Sequence, residues 1–302
     1  MRVENAYKLE KLVSKLNIHA LDMLVWYILR YYLNKRLPGY YNNHSYNEGK
    51  PSKEYTDCDV ILSLTTYPKR METIPIVIES LLRQTVKPTK FQLWLAEEQY
   101  PDKAALFRDM KSFTERGLEI IFCEDLKSHK KYYYAMKENP DAIVITVDDD
   151  IIYPESMIEN LLKTHQKYPQ CIVACRAHQM KIKENSVLPY NNWNYRATGC
   201  AGPDLYLCAT GCAGCLYPPN LLPEEVFNKE VFKEICFYAD DLWLKCMEQI
   251  NRIPTVLTGV NNPEIISTIG SNEGGLAQSN VEGGKNDQQF KSVTEHYGIR
   301  WL

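Results

Sequence analysis

Three consecutive aspartates, Asp148, Asp149 and Asp150, follow directly on the apolar run AIVITV. Carboxylates crowded at the end of an apolar segment repel one another and lose hydration, and a hard divalent cation with oxygen ligands is the usual compensation. Val144, Ile145 and Val147 are β-branched and the run is short, which predicts a strand enclosed on both faces rather than a helix. Side chains alternate along an extended chain, so Asp148 and Asp150 are expected on one face and Asp149 on the other, a D-x-D arrangement. A second acidic pair, Asp240 and Asp241, precedes Leu242, Leu244, Lys245 and Met247, where a helix is expected to begin. Carboxylates at a helix start meet unpaired N–H groups and the positive end of the dipole, which predicts that they stay ionised, one capping and one facing a cleft. The competing readings are a solvated acidic turn for the triplet and purely structural helix-start carboxylates for the pair.

The elements that must position these residues alternate. VILSL (60–64), FQLWL (91–95), LEIIF (118–122) and the run ending in the aspartates read as strands. Between them lie a helix carrying Ile74, Val77, Ile78, Leu81 and Leu82, a second opening near Pro101, and a Lys/Tyr-rich helix over 130–137. A further helix follows Pro154, and CIVAC (171–175) is another strand. Repeated β-α units imply a mostly parallel, Rossmann-like α/β sheet flanked by helices, whose ligands bind past the carboxyl ends of the strands. The residues standing there include Thr65, Thr66, Tyr67 and Arg70, then Glu97 and Glu98, then Glu124 and Asp125, then the triplet.

VILSLTTYPKR, the lysine before YYYA, the acidic strand end and FYADDLW together resemble nucleotide-sugar glycosyltransferases of the GT-A fold, bacterial family 2-like enzymes in particular, over residues 58–250. That resemblance implies a nucleoside site at Thr65, Tyr67, Arg70, Glu97 and Asp125. It implies Mn²⁺ or Mg²⁺ on Asp148 and Asp150 bridging the diphosphate, with Asp149 nearer the ribose. It makes Lys131 a candidate for contact with the diphosphate or with the acidic loop; a plain surface charge on its helix is the other reading. Asp241 is the implied catalytic base, with Asp240 orienting the acceptor or capping; many relatives carry Glu at that first position. The implied activity is inverting, hexosyltransferase-type transfer from a nucleotide-sugar, a UDP-sugar first, to a saccharide or lipid-linked saccharide acceptor in surface polysaccharide synthesis. A non-catalytic sugar- or metal-binding scaffold stays open. So does a metal-dependent nucleotidyltransferase, although LTTYPKR lacks the glycine expected of a phosphate loop.

The net charge of −3 and pI near 6.1 give no support for nucleic acid as a partner. Ten cysteines without a signal-peptide pattern predict reduced thiols and a cytoplasmic setting. Cys212 and Cys215 form C-x-x-C, but without a second such pair they read as small packing residues, with Gly211 and Gly214 allowing close backbone approach to a ligand. Arg176 could meet phosphate and His178 substrate, but the two read first as a hydrogen-bonded structural pair, and residues 181–204, with Trp193, Tyr195 and Arg196, as a mobile aromatic wall for a sugar.

Three regions are expected: a helical extension and linker (1–56), the catalytic domain (57–260) and a mobile tail or lid (261–302). Residues 5–36 carry apolar stripes with Trp26, Tyr27, Tyr31 and Tyr32, and residues 1–40 hold seven Lys/Arg against three Asp/Glu. That combination suits attachment to the inner face of a membrane, while packing on the domain or a second subunit is the commoner fate of such a stripe. The most apolar window, 20–33, is too short to span a bilayer. Residues 38–56 read as a linker. In the tail, a Gly/Ser/Asn-rich segment could fold over the nucleotide, and His296 is a candidate further metal ligand, with a structural role as the alternative.

Overall fold

The computed structural model describes residues 2–16, 18–44, 49–184, 186–197, 199–259, 264–270 and 283–301. One sheet carries the architecture. Its strand order is Thr255–Leu257, Ile172–Ala174, Cys215–Tyr217, Ile143–Thr146, Val60–Thr65, Lys90–Ala96 and Leu118–Cys123. Every neighbouring pair runs parallel except those made by Cys215–Tyr217, which is antiparallel to the strands on both sides of it. This is the mostly parallel α/β arrangement expected from the β-α repeats.

The central strands are apolar because both faces are covered. Val60, Leu62 and Leu64 pack with Val77, Ile78 and Leu81 of helix Ile74–Leu82, while Ile61 turns to the other side with Trp94 and Val144. Each such side chain, fully buried, stabilises the fold by about 1.5–3 kcal/mol. A second large cluster gathers Leu242, Trp243 and Met247 of helix Asp240–Ile250 with Phe290 and Val293 of helix Lys285–His296.

The strand order reverses between Val60–Thr65 and Ile143–Thr146: later strands lie to one side of the first, the aspartate strand to the other. A crevice opens at such a switch point. The antiparallel strand contributes to the same edge, since Cys215 at its start pairs with Thr146 and Ala174 near the ends of their strands. The loop before Cys215 therefore stands beside the aspartates.

The amino-terminal segment forms two helices, Val3–Ser14 and His19–Asn43. Val3, Ala6, Tyr7, Leu29, Leu33, Leu37 and Tyr41 are buried together with Ile152 and Ile266. The second helix runs past Pro38 into the stretch expected as a linker. Pro38 removes a helical hydrogen bond, but burial of Leu37 and Tyr41 on either side of it outweighs that loss. Beyond it, Lys50–Pro51 pairs with Val86–Lys87. Of the expected tail, residues 264–268 run along 150–152, joined by Ile152 N–H to Ile266 O at 2.9 Å and Thr268 N–H to Asp150 O at 2.7 Å. The glycine-rich stretch 271–282 lies outside the described residues. Among the described residues, no helix is long and apolar enough to cross a membrane.

Candidate active site

The aspartate strand ends at Thr146, and Asp149 and Asp150 already belong to a turn. The alternation expected of an extended D-x-D therefore does not apply. Asp149 and Asp150 share one cation: the Arg70 guanidinium pairs with Asp149 and reaches Asp150 Oδ2 at 3.1 Å. Asp148 turns the other way, to Lys131 Nζ at 2.6 Å. Thr66, one residue past the first strand, donates its hydroxyl to Asp149 Oδ2 at 2.5 Å. The Tyr67 ring lies 5.5 Å from the Arg70 guanidinium, and the Thr65 hydroxyl is turned to the Trp94 carbonyl at 2.7 Å.

Lys131 is nearly inaccessible, as expected neither of a surface charge nor of an open phosphate contact. It bridges the two acidic groups, 2.6 Å from Asp148 Oδ1 and 2.9 Å from Asp240 Oδ2. Burial alone would lower its pKa, but Asp148, Asp240 and Asp241 outweigh burial and raise it well above the ordinary lysine value, so it is a fixed positive charge.

Asp240 and Asp241 open helix Asp240–Ile250, and neither caps it: the N-cap is Ala239, with no side-chain cap. They divide by environment. Burial works against the charge on Asp240, yet Lys131 and His129 overcome it and keep the Asp240 pKa below its ordinary value. Asp241 is pushed up to about 8 by burial and by Asp240, so the helix start does not keep both carboxylates ionised as expected. Its Oδ1 accepts from the Gly211 amide at 3.0 Å. Gly211 is required by space, since a Cβ there would stand 2.9 Å from Asp241 Oδ1 and 3.0 Å from Lys131 Nζ. Gly214 answers to packing instead: its φ is +102° and a Cβ would meet Met157 Sδ at 2.9 Å.

Tyr153 fastens the aspartate turn to the glycine loop. Its hydroxyl accepts from the Asp148 amide at 2.8 Å and donates to the Cys212 carbonyl at 2.7 Å. Nothing in the sequence spacing singles out this residue, because its partners are backbone atoms, the Asp148 amide of the same turn and the Cys212 carbonyl brought close by the antiparallel strand.

Five carboxylates thus gather at one strand edge, with Arg70 and Lys131 as their directly paired cations. Burial, with Asp148 and Asp149 beside it, outweighs Arg70 and pushes Asp150 up to about 7, and burial raises Asp149 as well. Such excess negative charge on hard oxygen donors fits a divalent cation. Among the described residues, no three His, Cys, Asp or Glu side chains form a ready-made metal cage. Two carboxylates are nevertheless what a cation shared with substrate phosphates requires, Mg²⁺ commonly taking only one or two from the protein.

Other expected site residues stand elsewhere or are already engaged. Glu97 is exposed and pairs with Lys103 at 2.5 Å. Asp125 is lined by Lys130 at 2.6 Å and Lys127 at 2.5 Å; burial would raise its pKa, but the two lysines bring it down to about 2. His296 is exposed on the last helix, its ring against that of Tyr297. Trp193, expected in an aromatic wall, is buried and donates to the Leu188 carbonyl at 2.8 Å. Tyr195 is exposed, its ring stacked on His178 and 5.0 Å from the Arg176 guanidinium. Arg176 and His178 are both buried but bond to different partners: Arg176 Nη1 to Thr210 Oγ1 at 3.2 Å, and His178 Nδ1 to the Arg196 amide at 3.0 Å. Burial and the Arg176 charge press the His178 pKa down to about 3. Cysteines 208, 212 and 215 are free thiols.

No protein-family model matches the chain, and no curated protein does. Among solved structures it is similar to the mannosyltransferase PcManGT from Pyrobaculum calidifontis in complex with GDP-Man and Mn²⁺, at 13% identity over 95% of this chain and 76% of that one, with a TM-score of 0.49. It is similar also to S. aureus TarS 1-349, at 12% identity over 68% of this chain and 59% of that one, TM-score 0.45. The same protein in complex with UDP gives 13%, 80%, 72% and 0.47. Similarity this distant assigns no residue a role.

Proposed function

We propose that this protein is a metal-dependent, inverting glycosyltransferase of hexosyltransferase type, using a nucleotide-sugar donor, a UDP-sugar first, and a saccharide acceptor of surface polysaccharide synthesis. The observation that carries the reading is the pair of acidic groups on one strand edge, Asp148–Asp150 and Asp240–Asp241, joined through Lys131. The resemblance of VILSLTTYPKR and FYADDLW to GT-A enzymes supplies the donor and acceptor classes. Asp148 and Asp150 would hold Mn²⁺ or Mg²⁺, whose charge would offset that of the departing diphosphate.

The residues divide the remaining work. Arg70, Thr66 and Lys131 hold the aspartates in place without occupying every carboxylate oxygen. Asp241 takes the proton of the acceptor hydroxyl. As it does so, the acceptor oxygen bonds to the anomeric carbon from the face opposite the diphosphate, and the bond from that carbon to the diphosphate oxygen breaks. The bonding pair leaves with the nucleoside diphosphate, and configuration inverts. A pKa near 8 suits a general base, which must be available near neutral pH and still attract a proton from an alcohol.

Calorimetric titration with UDP in the presence and absence of Mn²⁺ tests the donor half of this reading. The intact protein should bind UDP more tightly with Mn²⁺, and Asp150→Ala should lose that metal-dependent gain while melting no lower without metal at pH 8. Metal-dependent affinity unchanged in Asp150→Ala removes the metal assignment.

A further inference from the structure

Helix His19–Asn43 is apolar on two sides, and the fold covers only one. Leu29, Leu33, Leu37 and Tyr41, at spacings of four, face the domain and are buried. On the outer side Leu24, Tyr27, Ile28 and Tyr31 are 56%, 56%, 56% and 62% exposed, and the preceding helix and the turn after it add Leu12 and Leu16 at 63% and 58%. Of the sixteen large hydrophobic side chains exposed among the described residues, ten lie between Leu9 and Tyr32. A helix apolar on both sides is expected to be enclosed on both, and a patch of this kind on a folded protein marks an interaction surface.

Charge identifies the partner. Among the described residues 2–44, every exposed acidic or basic side chain is basic: Arg2, Lys8, Lys15, Lys35 and Arg36. Lys35 and Arg36 line the same shallow groove as Tyr27, Ile28 and Tyr31. A second copy meeting this face through a twofold axis would set those cations against their own copies. An anionic lipid surface instead takes the apolar and aromatic side chains into its interface and the cations among its headgroups.

The helix is also fastened to the candidate active site. Trp26 Nε1 donates to the Ile265 carbonyl at 2.7 Å, Arg30 Nη2 to the Thr268 carbonyl at 2.7 Å, and Asn34 Nδ2 to the Ser267 carbonyl at 3.1 Å. Segment 264–268 is in turn bonded to residues 150 and 152, and Tyr7 joins the two directly, accepting from the Ile266 amide at 3.0 Å and donating to the Ile152 carbonyl at 2.9 Å. Whatever holds the outer face of this helix thereby sets the position of the turn that carries Asp148–Asp150.

We propose that the outer side of helix His19–Asn43 is a docking surface for anionic membrane lipid, holding the aspartate edge of the sheet at the bilayer, where a lipid-linked acceptor is presented. The acceptor clause rests on the glycosyltransferase reading above; the docking clause does not.

Sedimentation of the full chain with vesicles, without donor or cation, tests the docking clause alone. The protein should sediment with equimolar phosphatidylglycerol–phosphatidylcholine vesicles at low salt, be released as salt rises, and bind phosphatidylcholine alone far more weakly. The double variants Leu24→Glu/Ile28→Glu and Lys35→Glu/Arg36→Glu should each bind weaker on the order of tenfold or more, with unchanged circular dichroism and unchanged nucleotide-sugar turnover toward a soluble acceptor. No sedimentation with anionic vesicles, or equal sedimentation of all three proteins, overturns docking. So does a concentration-dependent dimer that Leu24→Glu/Ile28→Glu dissolves, which assigns the face to a second copy. Vesicle binding by a protein that turns over no nucleotide-sugar leaves docking standing and removes the acceptor clause.

Discussion

The Gly211 amide donates to Asp241 Oδ1 at 3.0 Å, and the same oxygen lies 2.9 Å from where a Gly211 Cβ would stand. The proposed base is thus tethered by a residue with no room for a side chain. In Gly211→Ala the methyl must displace the Asp241 carboxylate or the Lys131 ammonium, and Lys131 is enclosed, so Asp241 is the group that shifts. Turnover should fall about 10- to 100-fold, as misplacement of a catalytic group by around 1 Å is enough to do. Affinity for UDP with Mn²⁺ should fall less than turnover, since Asp150 is held by Arg70, away from Gly211, and only Asp148 shares Lys131. Steady-state kinetics beside calorimetry separate the two effects, and equal losses in both contradict the positioning role of Gly211.

Lys131 lies between Asp148 and Asp240 with almost no access to water. Lys131→Met keeps most of its length and removes the charge, leaving the buried Asp240 and the half-buried Asp148 without their cation. Breaking a buried pair in this way costs about 3–5 kcal/mol. Urea unfolding at pH 7.5 should show a loss of that order, and Lys131→Met combined with Asp148→Asn should lose less than the single variant. A single variant as stable as the parent removes the bridging role of Lys131.

The Asp241 carboxyl also makes a prediction about pH. Its folded-state pKa, pushed up by burial and Asp240 to about 8, stands above the unfolded value of about 4. The folded protein then holds a proton that the unfolded chain has released, so the contribution of this group is fully present below about pH 4 and is lost as pH rises to about 8. Asp241→Asn cannot titrate and keeps an acceptor for the Gly211 amide. With metal chelated, the melting temperature of Asp241→Asn relative to the parent should rise between pH 5 and 8 and level off above. A constant difference across that range contradicts the raised pKa.

The sheet was legible because its central strands are enclosed: VILSL, FQLWL and AIVITV are mostly apolar runs buried on both faces, and the edge strand LEIIF, only partly buried, still carries enough apolar side chains to read as a strand. The acidic groups at the strand ends could be picked out by residue type alone. How they face could not. Asp149 and Asp150 share Arg70 because the chain turns at once after Thr146, and a turn leaves no periodicity to read. Thr66, Tyr153 and Gly211 entered the site through single contacts across the sheet edge, with Asp149, the Cys212 carbonyl and Asp241 respectively. For Lys131 the sequence left a phosphate or acidic-loop contact and a helix-surface charge both open, because its burial depends on helix Asp240–Ile250, more than a hundred residues later in the chain. The helix past Pro38 followed a rule of tertiary burial over local propensity, visible only once Leu37 and Tyr41 had a surface to pack on.

The most direct test is release of nucleoside diphosphate from a panel of UDP- and GDP-sugars with Mn²⁺, by the parent protein and by Asp241→Asn. The parent should turn over at least one of these donors only when Mn²⁺ is present. Asp241→Asn should bind the same donor normally while turning over slower by on the order of 10²–10⁴. Mn²⁺-independent release, or near-normal turnover by Asp241→Asn with donor affinity also normal, would contradict the proposed mechanism.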